Sequence, residues 1–155
     1  APRAANARFP RRLAREHQGG QVDRVPTVVR IDGEPVASDQ ATVSVFDRGF
    51  LYGQAAFETL RTYDGVPFAV EAHLERLAYS AEHIGIQPPE QPRGLVGEIL
   101  ELHRSSGHRD SVVRITLTAG RGPLGLSSTM LASPRRISWA YPPPAKPAHW
   151  WTEGA

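Results

Sequence analysis

Seventeen arginines and one lysine, Lys146, make nearly every cationic side chain of this sequence a guanidinium. A guanidinium binds and orients anions through a planar fork of N–H donors, but it stays charged and does not act as a base. Among the arginines in patterned segments, two have an ambiguous setting. Arg76 lies in a helical pattern, opposite its apolar stripe, with Ala72 and Ser80 four residues to either side. No carboxylate therefore pairs with it along the helix, and spacing alone reads it as solvated. Arg114 alternates with Thr116 and Thr118 in a strand pattern, on a face that either meets water or lines a polar pocket.

Other chemistries find little support. The six histidines show no ligand spacing and no accompanying acidic cluster, so no metal site is expected and His73, His83 and His103 read as ordinary helix residues. The chain has no cysteine, which excludes a disulfide, a thiolate metal site and a cysteine nucleophile. It has no G-x-S-x-G elbow and no phosphate-binding lysine loop. Gly120-Arg121-Gly122-Pro123-Leu124-Gly125 matches G-x-G-x-x-G, yet Pro123 interrupts it and Ser127-Ser128-Thr129 follow without an amphipathic run. A dinucleotide site needs a helix opening at that loop. A flexible loop is expected instead.

The elements that must position these residues are legible. Residues 27–31 read as a β-branched strand, Asp32-Gly33 as a hairpin turn and residues 34–37 as the returning strand. Residues 42–46 alternate with period two, ending at Asp47-Arg48-Gly49. Residues 55–63 form a longer strand pattern, turned at Asp64-Gly65, with residues 66–70 returning. A helix follows over 71–84, with Leu74, Leu77, Ala78, Ala81 and Ile84 on one stripe and Gly85 at its end. A second helix spans 93–106, with Leu95, Val96, Ile99, Leu100 and His103 on one side and Gly107 after it. Residues 111–118 form a strand with Val113, Ile115 and Leu117 on one face, and 134–141 a last strand. Strands bunched apart from helices predict an α+β fold: an antiparallel-rich sheet with two helices on one face.

At 155 residues the chain is the size of one domain. No apolar run approaches the roughly 20 residues of a membrane span, and the absence of cysteine fits a cytoplasmic protein. Net charge is only +2, but residues 1–24 hold six arginines against Glu16 and Asp23. That arm could touch nucleic acid or an anionic surface; the preferred reading is a solvated, poorly ordered extension over residues 1–26. It lacks the apolar stretch of an export signal and has a transit-peptide composition as a minor alternative. Residues 142–155 are a proline-rich, extended linker, ending near Trp150-Trp151, which call for something to pack on.

The stretch from Val43 to Phe68 (V-S-V-F-D-R-G-F-L-Y-G-Q-A-A-F-E-T-L-R-T-Y-D-G-V-P-F), with E-A-H-L-E-R-L over 71–77 and V-R-I-T-L-T over 113–118, closely resembles the class IV (fold type IV) aminotransferases. That group includes branched-chain aminotransferases, D-amino acid aminotransferases and aminodeoxychorismate lyases. The resemblance covers about residues 27–141 and implies the small N-terminal domain of a pyridoxal 5'-phosphate enzyme working as a homodimer on amino acids and 2-oxo acids. It implies that Arg76 binds the cofactor phosphate, that Phe57 lines the substrate pocket, and that Arg114 meets a distal substrate carboxylate. Tyr52 and Leu126 match residues reaching into the neighbouring subunit's pocket.

Two departures stand out. Gly53 is followed by Gln54-Ala55 where the family often has Asp-Gly, and the loop after Leu117 lacks the Arg-x-His of D-amino acid aminotransferases. In the family, the Schiff-base lysine lies far enough beyond the Asp47-Arg48-Gly49 turn to fall past Ala155, and Lys146 reads as a linker residue. The sequence is thus expected to be the N-terminal half of an aminotransferase, inactive alone for want of that lysine and binding cofactor weakly or not at all. Aminodeoxychorismate lyase is the alternative enzyme; a non-catalytic dimerisation domain, or one partner of a split enzyme, is the alternative class.

Overall fold

Val28–Ile31 (β1) and Glu34–Val36 (β2) pair antiparallel about a two-residue turn. Asp32 at φ 53° and Gly33 at φ 90° give that turn the left-handed pair of conformations that matches the twist of the strands it joins. This computed structural model describes residues 27–87, 94–125 and 133–145; the basic arm, Leu126, Lys146, Trp150 and Trp151 lie outside them. A short helix, Arg48–Tyr52 (α1), leads into Ala55–Tyr63 (β3) and Val66–Pro67 (β4). Helices Val70–His83 (α2) and Leu95–Ser106 (α3) follow, then Val112–Thr118 (β5) and Arg135–Tyr141 (β6). The six strands form one sheet in the order β2-β1-β6-β5-β3-β4, every neighbouring pair antiparallel. The expected α+β architecture is the observed one.

Both long helices lie on one face. Alternation along β3 and β5 sends Ala56, Leu60, Val113, Ile115 and Leu117 inward to meet Leu74, Leu77 and Ala81 of α2 and Leu95, Ile99 and Leu102 of α3. Each large apolar side chain so buried contributes roughly 1.5–3 kcal/mol. The expected stripes need two corrections. Ile84 is exposed because α2 ends at His83 and Gly85 turns the chain at φ 75°, so Ile86 fills the core instead. On α3, Leu102 is buried while His103 sits at the margin, bonding Ser111 Oγ through Nδ1 at 3.0 Å.

Residues 42–46 form no strand, against their alternating pattern. Both Val43 and Val45 are exposed, and the segment tightens into a turn through Asp47 N–H donating to Ser44 O at 2.9 Å. An alternating segment without a neighbouring strand to pair its amides has no reason to extend. The return strand after Asp64-Gly65 is likewise two residues, not five, because Ala69 takes φ 50° and Val70 starts α2.

Asp47 and Arg48, both only 2 % exposed, close the open end of the sheet. Asp47 caps α1 by accepting from Gly49 N–H at 2.7 Å, and its second oxygen accepts from Thr118 Oγ1 at 2.9 Å. Arg48 donates to Gln54 Oε1 at 2.7 Å and to the carbonyls of Pro123 and Gly125 at 2.9 and 3.1 Å. Gln54 passes the link to the end of α2, its Nε2 donating to Ile84 O at 3.2 Å. The residues 120–125 loop therefore turns carbonyls toward a buried cation, the reverse of an amide cradle for phosphate. Gly120 permits the fit: at φ +74°, an added Cβ would lie 1.6 Å from Ser133 O. Gly120→Ala should destabilise by about 3 kcal/mol or more, read as a lower urea midpoint; an unchanged midpoint would show that the loop does not pass Ser133 so closely.

Candidate functional site

The face of the sheet away from the helices carries Phe57, Thr59 and Arg61 from β3, Arg114 and Thr116 from β5, and Ile137 and Trp139 from β6, as pairing register requires. Arg114 stands on the central strand with its Cζ 3.5 Å from the Phe57 ring centroid and 5.6 Å from that of Trp139. Both distances lie within cation–π range. It makes no ion pair or hydrogen bond among the described residues. Arg114 is half-buried beside these two rings. Beside it, Thr116 Oγ1 is buried and has no hydrogen-bond partner among the described residues.

Arg76 is engaged on the other face. Glu58, adjacent to Phe57 on β3 but pointing toward α2, is almost wholly buried. Its two carboxylate oxygens accept from Arg76 Nε and Nη2, each at 2.5 Å, and His73 Nδ1 lies 2.8 Å from the same carboxylate. Arg76 is thus paired across to the sheet, where sequence spacing read a solvated helical residue, and His73 belongs to the same cluster instead of being an ordinary helix residue. The signal for Glu58 was present: alternation through Ala56, Leu60 and Thr62 places position 58 on the buried face, and a buried carboxylate calls for a cation. Two of the five guanidinium N–H groups serve Glu58, and the Arg76 side chain remains 65 % exposed. The rest of its donors can meet an anion.

Phe57 and Glu58, adjacent on β3, thus project to opposite faces, one beneath Arg114 and the other to Arg76. β4 pairs only with Thr62 and Tyr63, so along residues 55–61 β3 has β5 on one side and, among the described residues, no strand on the other. Tyr52 is held at the loop after β5: its hydroxyl accepts from Gly125 N–H at 2.9 Å, and its ring lies 5.0 Å from Arg48 Cζ. Around it Phe46, Phe50 and Leu124 are exposed. Leu126 lies outside the described residues. No group of three or more potential metal-ligating side chains occurs among the described residues, and no described helix is long and apolar enough to cross a membrane.

The family model described as amino-transferase class IV matches residues 55–152. The chain belongs to the class IV aminotransferase family. A putative branched-chain-amino-acid aminotransferase of Methanocaldococcus jannaschii is 37% identical over 116 residues, 75% of this chain and 40% of the relative. A D-alanine aminotransferase of Staphylococcus epidermidis is 36% identical over 117 residues, 76% of this chain and 38% of the relative. Among solved structures, 4-amino-4-deoxychorismate lyase from Pseudomonas aeruginosa superposes with a TM-score of 0.66 at 36% identity, covering 81% of this chain and 43% of that one. The chain spans about 40% of the length of these class IV relatives.

The Arg76 pair holds the Glu58 carboxyl below its ordinary value of 4.5; burial opposes that effect, and His73 adds to the lowering. A carboxyl depressed in the folded state stabilises above its unfolded value and loses that contribution as pH falls through the folded one. Stability should therefore decline below about pH 4.5, and Glu58→Gln should flatten the decline in urea midpoints measured from pH 6 to 2. Asp110, also held low, chiefly by the Gly65 N–H, titrates in the same direction, so only the difference from wild type reports on Glu58. Equal slopes for the two proteins would dissolve the assignment.

Proposed function

We propose that this chain forms the N-terminal wall of a pyridoxal-phosphate aminotransferase that moves amino groups between amino acids and 2-oxo acids. The observation carrying the reading is a pair of arginines set against adjacent β3 residues on opposite faces of the sheet: Arg76 at Glu58 with donors to spare, and Arg114 over Phe57 with no carboxylate partner among the described residues. The donor chemistry fits the cofactor. A phosphate oxygen suits the exposed edge of the Arg76 guanidinium, whose other edge Glu58 holds still. The cofactor, when bound, supplies the electron sink that makes the substrate α-proton labile.

The chain's own residues bind and orient. Arg76 anchors the phosphate. Phe57 offers an apolar wall, and Arg114 attracts a second carboxylate on the substrate. Tyr52, fixed by Gly125, and Leu126 are assigned to the pocket of a partner copy, with residues 27–141 as the domain and 142–155 as its linker. No proton-transfer group is assigned in this chain: Lys146, its only lysine, is read as a linker residue, and the catalytic lysine is assigned to the part of the family domain beyond the matched 40% of its length. Aminodeoxychorismate lyase is the second reading, favoured by the 36% identity to a solved lyase. The two reactions share this wall.

Co-expressing the chain with a C-terminal half of the family should give a yellow, borohydride-reducible complex that transfers amino groups to a 2-oxo acid. A colourless mixture without association would sink the reading, whereas pyruvate release from aminodeoxychorismate without amino transfer would favour the lyase. In the assembled enzyme, Arg76→Ala should weaken cofactor retention by about 10-fold, followed by the loss of the cofactor absorption band on dialysis. Unchanged retention would remove Arg76 from the phosphate site.

A further inference from the structure

Trp139 is bound into a continuous row across the open face of the sheet. Val36 pairs with Val29, Val29 with Trp139, Trp139 with Arg114, and Arg114 with Thr59. Val29 is buried although it lies on the face the two long helices leave open, and Trp139 is its cross-strand neighbour, placed to help cover it. On its other side Trp139 stands 5.6 Å from the Arg114 guanidinium, and Phe57, from the opposite neighbouring strand, stacks at 3.5 Å. An arginine side chain left alone on a sheet samples many rotamers, and ordering it on binding costs free energy. A ring on each flanking strand removes much of that freedom before any ligand arrives. With rings from both flanking strands 3.5 and 5.6 Å from its Cζ, the guanidinium makes no hydrogen bond among the described residues and keeps its planar fork of N–H donors for the two-point contact that suits a carboxylate.

We propose that Trp139 is a positioning residue that, with Phe57, holds Arg114 ready for a substrate carboxylate and so sets the preference for dicarboxylic over monocarboxylic ligands. The proposal rests on the reading of Arg114 given above. Trp139 touches no substrate atom in this scheme; it acts through the arginine, by cation–π attraction and by denying Arg114 the space over Val29. An apolar side chain of similar bulk would still cover Val29 but would offer the cation no ring. That difference separates positioning from packing.

The probes are glutarate, which carries a second carboxylate, and isovalerate, which does not, titrated calorimetrically into the assembled holoenzyme. Trp139→Leu should weaken glutarate by about 5-fold, the scale of one partly shielded cation–π contact, and leave isovalerate within 2-fold of wild type (about 0.4 kcal/mol). Trp139→Phe should restore glutarate binding. Equal weakening of both ligands, or of neither, overturns the proposal and leaves Trp139 a packing residue. Arg114→Gln supplies the separate control. If it does not abolish the preference for glutarate, the reading of Arg114 fails; if it does while Trp139→Leu has no selective effect, only the role of Trp139 fails. Should Trp139→Leu not fold, fluorine NMR of wild-type enzyme labelled with 5-fluorotryptophan decides. The Trp139 resonance, assigned with Trp139→Phe, should shift with glutarate and not with isovalerate, and a resonance indifferent to both overturns the proposal.

Discussion

Helices cover only one face of the six-stranded sheet, so the period-two alternation of each strand decides whether a side chain joins the core or stands on an open surface. The consequences are sharpest on β3 and β5. Ala56, Glu58 and Leu60 turn inward with Val113, Ile115 and Leu117, while Phe57, Thr59, Arg114 and Thr116 turn outward between them. A slip of one residue in register would exchange the two sets and turn Arg114 toward the apolar core. The depth of the apolar core thus fixes the register, and the register delivers the functional side chains. Stability and chemistry are set by the same pairing.

Burying Arg48 is costly unless its donors are satisfied, and the structure meets that requirement with the backbone. Carbonyls of Pro123 and Gly125 and the amide oxygen of Gln54 converge on it, while Asp47 is occupied with the α1 amides and Thr118. The result couples three places distant in sequence: the short α1 helix, the end of α2 at Ile84 and the glycine-rich loop after β5. Tyr52 gains a fixed position from the same arrangement. Gln54, where the family often has an aspartate, makes this junction through a neutral amide that accepts on one side and donates on the other.

The two arginines proposed to meet anions stand in different states. Arg76 is already neutralised by Glu58 and is held by it, so it can offer direction more than net charge. Arg114 has no counter-ion among the described residues and offers both. Arg76 meets Glu58 on the helix face of β3, and Arg114 lies over Phe57, one residue away, on the open face. This chain corresponds to about 40% of the length of its relatives.

The sequence alone determined the local structure wherever the cause is local. Positive-φ turns at Asp32-Gly33 and Asp64-Gly65, helix ends at Gly85 and Gly107, and the strand faces of β3 and β5 follow from glycine's conformational freedom and from periodicity. The family, too, was legible, because the Val43–Phe68 motif is continuous in the chain. Tertiary structure decided the rest. Residues 42–46 carry a strand pattern but find no partner strand, which no local pattern can reveal. Glu58 meets Arg76 across 18 positions of sequence, and Arg48 meets the loop at Pro123 across 75. Trp139 stands beside Arg114 only because β6 pairs with β5 in one register. Charges and rings act over a few ångströms of space, and which of them come that close is settled when the sheet closes over its core.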